Sequence, residues 1–214
     1  MSIAFFSRPG LLACLLAAIC APPAGAAESK LGLHFGARSG YYEPTNSERS
    51  YEAVYGAGSL LHGVDVGWTH RSGFSAEGTF WYFRKDGEGV RLVAGELVKS
   101  GRAKRLIITP VLFSVTYRFL RERRVAPYIG AGIGWWRVQE KDVESGEAGT
   151  ETSWGAHLVS GLSVRVHHLV SLLGELGYAV VPDSLGANER STAHFYGEDD
   201  IGGVSVSVRL AFTP

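Results

Sequence analysis

The chain has 214 residues, of which 45% are hydrophobic, and it balances 21 basic side chains against 21 acidic ones. This balance gives no indication of nucleic-acid binding. No segment after residue 27 approaches the apolar run of roughly 18 residues that a transmembrane helix requires.

The N-terminal segment has the features of a secretory signal peptide. Arg8 precedes an apolar run over 11–19, and the small residues Ala24-Gly25-Ala26 follow. These features predict cleavage after Ala26, which divides the chain into a signal peptide (1–26) and one mature domain (27–214). Both cysteines, Cys14 and Cys20, belong to the signal. The mature chain is therefore expected to have no disulfide, thiolate metal site or catalytic cysteine.

The mature domain contains eight segments in which apolar and small or polar residues alternate with period two, as expected of strands with two different faces. In chain order these segments are 31–41, 63–69, 74–82, 111–119, 128–136, 154–165, 171–178 and 203–212. An even number of strands is typical of single-chain bacterial membrane barrels.

The fifth segment shows the pattern most clearly. One row contains Ile129, Ile133 and Trp135, whereas the other is rich in glycine (Gly130, Gly132 and Gly134). A dinucleotide-binding glycine loop would require a helix after the glycines, but here the alternation continues into Trp136. Because glycine weakens a strand unless the space is needed, we interpret the glycine row as the lining of a crowded barrel interior.

The connections between the segments alternate in length. Three are short, at 70–73, 120–124 and 167–168, and four are long, at 42–58, 85–102, 139–152 and 182–200. Tight turns at one end and long loops at the other are typical of outer-membrane barrels. Residues 90–98 further suggest that strands three and four continue as a hairpin beyond the membrane.

The composition of the two rows indicates which face is inside. A soluble barrel would expose a row composed mainly of Gly and Ser, which is a poor strand surface. With the faces inverted, the apolar row contacts lipid and the small residues make room for charged side chains in a narrow lumen. Aromatic residues near segment ends are then expected to form girdles at the membrane interfaces. These are Tyr41, Tyr42, Trp68, Tyr82, Trp135 and Trp154.

The sequence resembles the small outer-membrane β-barrel proteins of the OmpA, OmpX and OmpW kind. The resemblance rests on the segments 40–44, 117–119, 127–132 and 174–178 and on the final alternating strand. It implies an all-β fold, an eight-stranded antiparallel up-and-down transmembrane β-barrel with a polar Gly-rich lumen, short periplasmic turns and long extracellular loops. It also implies a Gram-negative outer membrane with both termini periplasmic, and assembly through the C-terminal strand ending at Phe212.

The lumen is expected to hold a network of paired charges, since a buried charge is tolerated only with a partner. Its predicted members are His34, Arg38, Asp65, Glu77, Arg118, His157, Arg165, Glu175 and Arg209. We expect Glu77 and Arg118, on neighbouring strands, to form one such pair. Trp81 and Trp136 are expected to fill the bore. No metal site or cofactor is predicted, since the two histidines lack a third ligand at a suitable spacing.

The function predicted from these features is non-enzymatic: a structural or adhesive protein that acts through its extracellular loops. Lys99, Arg102, Lys104 and Arg105 form a candidate basic ridge for lipopolysaccharide phosphates or an acidic partner. The expected surroundings are outer-membrane lipids and lipopolysaccharide, and the expected state is a monomer that binds no nucleic acid. One alternative is a narrow barrel that transports small or apolar molecules.

The second alternative is a lipid-modifying enzyme, which would need a histidine together with a serine, or with an aspartate, at the membrane surface. His194, Ser191, Asp199 and Asp200 lie in the fourth loop, and His62 and His70 lie near strand ends. None of them forms a recognisable nucleophile–base spacing.

Overall fold

A computed structural model describes residues 32–93, 96–120, 123–186 and 192–214. The predicted signal peptide (1–26), the first residue of the first segment (Leu31) and the loop residue Ser191 lie outside the described residues.

Eight strands form a closed barrel in which each strand pairs antiparallel with the next and the last pairs with the first. The strands are β1 (Leu33–Glu43), β2 (Ser59–Thr69), β3 (Phe74–Val93), β4 (Glu96–Arg118), β5 (Val125–Asp142), β6 (Ala148–His167), β7 (Val170–Val180) and β8 (Gly203–Phe212). The predicted fold is confirmed. The three tight connections, the first residues of β1 and the last residues of β8 lie at one end of the barrel, which we call the turn end. The long connections lie at the opposite end, which we call the loop end.

The two rows of each strand face opposite sides of the barrel wall, as predicted. Val64, Ile133 and Leu158 point outward and are 58%, 58% and 60% exposed. Inward-facing Thr79 and Ser205 are only 4% and 6% exposed. A soluble barrel would show the reverse pattern, so the exterior is built for contact with lipid.

The expectation for the aromatic girdle is wrong at one position. Tyr41, Trp68, Tyr82, Trp135 and Trp154 are all exposed on the outward row, but Tyr42 is buried in the lumen. Its hydroxyl donates a hydrogen bond to the Ile201 carbonyl (2.6 Å). Tyr41 and Tyr42 are consecutive in β1, and consecutive strand residues point to opposite faces, so only one of them can contact lipid.

The wall of the barrel is much taller on one side. Strands β3, β4, β5 and β6 contain 20, 23, 18 and 20 residues, whereas β1, β2 and β7 contain 11 each. Nine extra residues at about 3.3 Å each lengthen a strand by roughly 30 Å. The predicted hairpin near residues 90–98 is therefore confirmed. Most of the predicted loops 85–102 and 139–152 are strand instead, because their backbones remain paired, as between Lys85 and Leu106 or Gln139 and Ile107.

Two helices that the sequence analysis missed cover the loop end: α1 (Glu48–Tyr55) and α2 (Thr192–Tyr196). The carboxylate of Glu198 accepts hydrogen bonds from the backbone N–H groups of Arg49 (3.2 Å) and Ser50 (2.8 Å). These are unpaired donors at the start of α1, where negative charge is favourable. Within the described ranges, no helix has the length and apolar character needed to cross a membrane.

Candidate functional site

A charged layer lies inside the middle of the barrel. Arg209 of β8 contacts Asp65 of β2 (2.6 Å) and Glu77 of β3 (2.7 Å). Arg38 of β1 contacts Glu175 of β7 (2.8 Å) and, less closely, Asp65 (3.4 Å). All five side chains are less than one-tenth exposed. The two arginines thus compensate three carboxylates and connect five strands across the bore.

Neighbouring groups complete this layer. His34 Nε2 lies 3.4 Å from Glu77, and the Tyr128 hydroxyl donates to Glu175 (2.8 Å). The guanidinium of Arg38 lies 5.5 Å from the centre of the Trp81 ring, within cation–π range. The structure therefore brings together six of the nine predicted lumen residues: His34, Arg38, Asp65, Glu77, Glu175 and Arg209.

The predicted pair of Glu77 and Arg118 is wrong. Glu77 lies opposite Ser114 on β4, and its carboxylate contacts Arg209 and His34. Arg118 lies four residues nearer the turn end, opposite Tyr128. Four residues correspond to about 13 Å along a strand. The sequence identifies neighbouring strands but does not give the register that decides which charges meet. Arg165 lies half-buried on β6, opposite Ser171.

His157, the other predicted histidine, lies outside the ionic network. Its Nε2 is 2.8 Å from the Ser114 hydroxyl. A side chain at Gly132, directly opposite His157, would place its Cβ against the Phe113 carbonyl oxygen and 2.6 Å from the imidazole. A Cβ at Gly36 would likewise lie 2.5 Å from the Asp65 carboxylate. Both glycines leave room for polar side chains in the lumen, as the glycine row predicts. Among the described residues, no group of three His, Cys, Asp or Glu side chains could hold a metal ion.

An apolar layer fills the lumen between the charged layer and the loop end. Trp136 is 2% exposed and packs against Tyr42 with ring centres 6.3 Å apart. Tyr42 in turn contacts Phe83 edge-to-face at 5.6 Å. Leu61, Leu106, Leu112, Ile108, Val138, Val181 and Ile201 belong to the same cluster. The cavity beside Trp81 and Trp136 measures about 30 Å³, which is enough for about two water molecules. The prediction that Trp81 and Trp136 fill the bore is consistent with this packing.

Helix α1 adds a third layer. Its buried face contributes Tyr51 to the apolar cluster, with Tyr55 packed beside it. Burial raises the pKa of Tyr55, and Glu140 beside it raises this pKa further. The lumen is therefore closed in turn by ion pairs, by packed aromatic and aliphatic side chains, and by a helix.

The four residues of the predicted basic ridge lie on β4, but they do not form one ridge. Lys104 and Arg105 are consecutive strand residues, so they point to opposite faces. Three of the four residues contact acids on adjacent strands: Lys99 with Glu88 (3.4 Å), Lys104 with Glu140 (2.9 Å) and Arg105 with Asp86 (2.6 Å). The exposed Arg102 lies near Asp142. The pKa of the Asp142 carboxyl is lowered mainly by a hydrogen bond from the Ser145 backbone N–H, and Arg102 lowers it further.

The candidate catalytic residues of the fourth loop have structural contacts. Asp200 accepts hydrogen bonds from the backbone N–H groups of Val181 (2.7 Å) and Gly202 (2.6 Å). The Asp199 carbonyl accepts one from the Ser184 backbone (2.8 Å). His62 is different, because its Nδ1 lies 3.1 Å from the Ser39 hydroxyl on the outer surface of β1. Both residues belong to the outward row, where polar residues are rare, and that is the signal that the sequence analysis overlooked.

Comparison with known sequences agrees with this architecture. Residues 11–212 match the family described as outer membrane protein beta-barrel domain. The chain belongs to this outer-membrane β-barrel family. Proteins of this kind reside in the outer membrane, among its lipids and lipopolysaccharide. No curated protein sequence matches the chain.

Solved structures of other outer-membrane barrels share the fold. Neisserial surface protein A (NspA) is 14% identical with a TM-score of 0.56, and the match covers 85% of this chain and 96% of NspA. The outer membrane protein OprG of Pseudomonas aeruginosa is 13% identical with a TM-score of 0.58, covering 88% of this chain and 98% of OprG. At these identities the likeness concerns the fold of the family and not a particular role.

Proposed function

We propose that this outer-membrane barrel is a structural or adhesive protein that acts through its loop-end surface and does not conduct solutes through its lumen. The observation that carries this proposal is the filling of the bore by the charged layer, the apolar layer around Trp136 and helix α1. Opening a path would break buried ion pairs, which typically costs roughly 3–5 kcal/mol for each pair.

The surface offered by the loop end is a rigid sheet of mixed charge. Residues 84–105 contain seven basic and three acidic side chains, whereas residues 139–152 contain one basic and five acidic ones. These two segments adjoin along β4 and β5, where contacts such as Lys104–Glu140 join them. The neighbouring charges therefore largely neutralise one another and fix the sheet. Such a surface is suited to a specific contact more than to long-range attraction of polyanions.

The tall sheet also has an open edge on β6. Pairing of β6 with β7 begins at Ala156 and Val180, so residues 148–155 of β6 extend beyond the end of β7. Residues 148–150 (Ala, Gly and Thr) are exposed. An exposed strand edge can pair with an extended segment of another molecule. We propose this edge, together with the loop-end charges, as the contact surface. In this proposal the loop end is extracellular, both termini are periplasmic, the protein is a monomer, and β8 ending at Phe212 is recognised during assembly.

Conductance distinguishes this function from the transport alternative. The refolded wild-type protein would be placed in planar bilayers beside a variant opened at all three layers. This variant carries Arg38→Ser with Glu175→Ser, which removes one ion pair of the charged layer, Trp136→Gly, and a Gly-Ser linker in place of residues 47–56. We expect no steady conductance from the wild type and a measurable one from the opened variant. A steady ohmic conductance of the wild type would support transport instead. A shift in gel mobility on boiling, required of both proteins, shows that each has folded.

A further inference from the structure

The outer surface of the barrel carries a serine–histidine pair that the loop-end function does not use. The Ser39 hydroxyl lies 3.1 Å from His62 Nδ1, and the two residues face each other in the register of β1 and β2. Both side chains are exposed on the row that otherwise presents Phe35, Val64 and Val66 to lipid. A polar side chain facing hydrocarbon is unfavourable without a partner, so the pair is held together.

The depth of the pair corresponds to the membrane interface. Tyr41 follows Ser39 by two residues on the same outward row, and Tyr82 lies directly opposite His62 on β3. Both tyrosines are exposed members of the loop-end aromatic girdle. Girdle residues mark the level of lipid headgroups. The pair therefore lies where the ester groups of membrane lipids meet the headgroups.

A groove on the outside of the barrel begins at His62 of this pair. It has a volume of about 300 Å³, and its lining includes His62, Leu60, Tyr82, Arg84 and Lys85. Leu60 and Tyr82 provide an apolar wall. On the loop side the lining contains Arg84, Lys85 and Asp86, which together carry one net positive charge; Arg84 donates to Asp86 (3.1 Å) and Lys85 to the Gly58 carbonyl (3.1 Å). Such a groove fits an amphiphile whose phosphate lies beside the cations and whose acyl chain descends along the strands.

We propose that Ser39 and His62 form a nucleophile–base dyad that hydrolyses an acyl ester of a phosphate-bearing outer-membrane lipid. His62 Nδ1 takes the hydroxyl proton while Ser39 Oγ bonds to the ester carbonyl carbon. The bond to the leaving alcohol breaks, and the imidazolium returns the proton to that oxygen. Water then attacks the acyl-serine, giving its proton to His62 and its hydroxyl to the acyl carbon. The bond between the acyl carbon and Ser39 Oγ then breaks, the fatty acid leaves, and the imidazolium of His62 returns the proton to Ser39 Oγ.

A second serine–histidine pair provides an internal control. At the turn end, His70 Nδ1 lies 2.7 Å from the Ser72 hydroxyl and 3.2 Å from the Ser72 backbone nitrogen. These residues are two positions apart in one tight turn, and their contacts stabilise that turn. Ser39 and His62, in contrast, are 23 positions apart on different strands. The lining of the groove includes His62 but neither His70 nor Ser72.

The activity is tested with the refolded full-length mature chain in mixed micelles. Two probes are used separately, a diacyl phosphatidylglycerol and a hexa-acyl lipid A, and the measurement is fatty acid released per minute. We expect release from at least one probe. Ser39→Ala should reduce the rate to background and His62→Gln should lower it about 10²–10⁴-fold, while Ser72→Ala and His70→Gln leave it unchanged. Arg84→Gln should raise KM for the phosphate-bearing lipid more than for an uncharged diacylglycerol.

Labelling of the nucleophile provides a readout that does not depend on the correct lipid. A lipophilic fluorophosphonate should modify the peptide containing Ser39 in the wild type and in Ser72→Ala, but not in His62→Gln. All variants must show the gel shift of a folded barrel. Absence of both fatty acid release and labelling in the folded wild type would overturn the proposal and leave a polar pair that only satisfies its own hydrogen bonds. Release that persists in Ser39→Ala would overturn it as well.

Discussion

Replacing Arg209 by methionine tests the charged layer directly. Arg209 is 2% exposed and is the only described arginine that contacts both Asp65 and Glu77, at 2.6 and 2.7 Å. Each ionic hydrogen bond contributes roughly 1.5–3 kcal/mol. Loss of one member of a buried ion pair costs roughly 3–5 kcal/mol, because the remaining charge is left without compensation. We therefore expect Arg209→Met to lower the free energy of unfolding by about 3–5 kcal/mol.

The double variant Arg209→Met with Glu77→Gln should lose less than the sum of the two single changes. Residues in direct contact usually show coupling energies of about 0.5–3 kcal/mol. The assay is reversible urea unfolding in phospholipid vesicles, followed by tryptophan fluorescence and by the gel shift of the folded barrel.

The control cycle combines Glu77→Gln with Arg118→Met, and its coupling should be clearly smaller because the Glu77 carboxylate is bonded to Arg209 and His34. A coupling of Glu77 with Arg118 that equals or exceeds its coupling with Arg209 would refute the observed register of the network. Simple additivity for Glu77 and Arg209 would refute it equally.

Three further predictions follow from the two faces and from the loop-end sheet. Val206→Arg, at a lipid-facing position that is 57% exposed, should cost about 2–4 kcal/mol of folding stability, and Leu162→Arg should have a similar effect. Ser205→Ala and Ser163→Ala on the inner row should cost much less. Equal effects on the two rows would invalidate the face assignment. Because Lys99, Lys104 and Arg105 are already paired with acids, reversing the charges of these three residues and of Arg102 should change binding to lipopolysaccharide little at any ionic strength. A loss of binding that grows at low salt would show that the four residues do form a ridge for polyanions. The hydrogen bond from Arg105 lowers the pKa of Asp86. The stability that this contact contributes is therefore present above the ordinary aspartate pKa and is lost as the pH falls through the lowered pKa. An NMR titration should show the Asp86 pKa rising in Arg105→Gln, and an unchanged titration would mean that the contact does not form in solution.

The architecture of the barrel could be predicted because it depends on period-two alternation and on loop lengths, both of which are local properties of the sequence. The inward positions of Trp81, Trp136 and the charged residues follow from parity along each strand. The same rule applies to Tyr42, which must face the lumen once Tyr41 faces lipid. The glycines opposite Asp65 and His157 also followed from the crowded lumen.

The register between strands and the helices that cover the loop end could not be predicted in this way. Whether Glu77 meets Arg118 or Arg209 depends on the stagger between strands and on the closure of β1 with β8, which joins residues far apart in sequence. Helix α1 has only eight residues and is stabilised by its contact with the lumen cluster and by Glu198 from a distant loop. The pairing of Ser39 with His62 depends on register for the same reason.

This family member is expected to turn its apolar row to lipid and to keep its lumen closed. Two neighbouring cysteine substitutions test both parts, because the two native cysteines, Cys14 and Cys20, lie in the predicted signal peptide. In the folded mature chain, Ser205→Cys should resist a charged thiol reagent, and a fluorophore on Val206→Cys should be quenched by lipids brominated in their chains. Rapid labelling of Ser205→Cys would show that the lumen is open to solutes, and a fluorophore at Val206 that brominated lipids do not quench would show that this row does not face lipid.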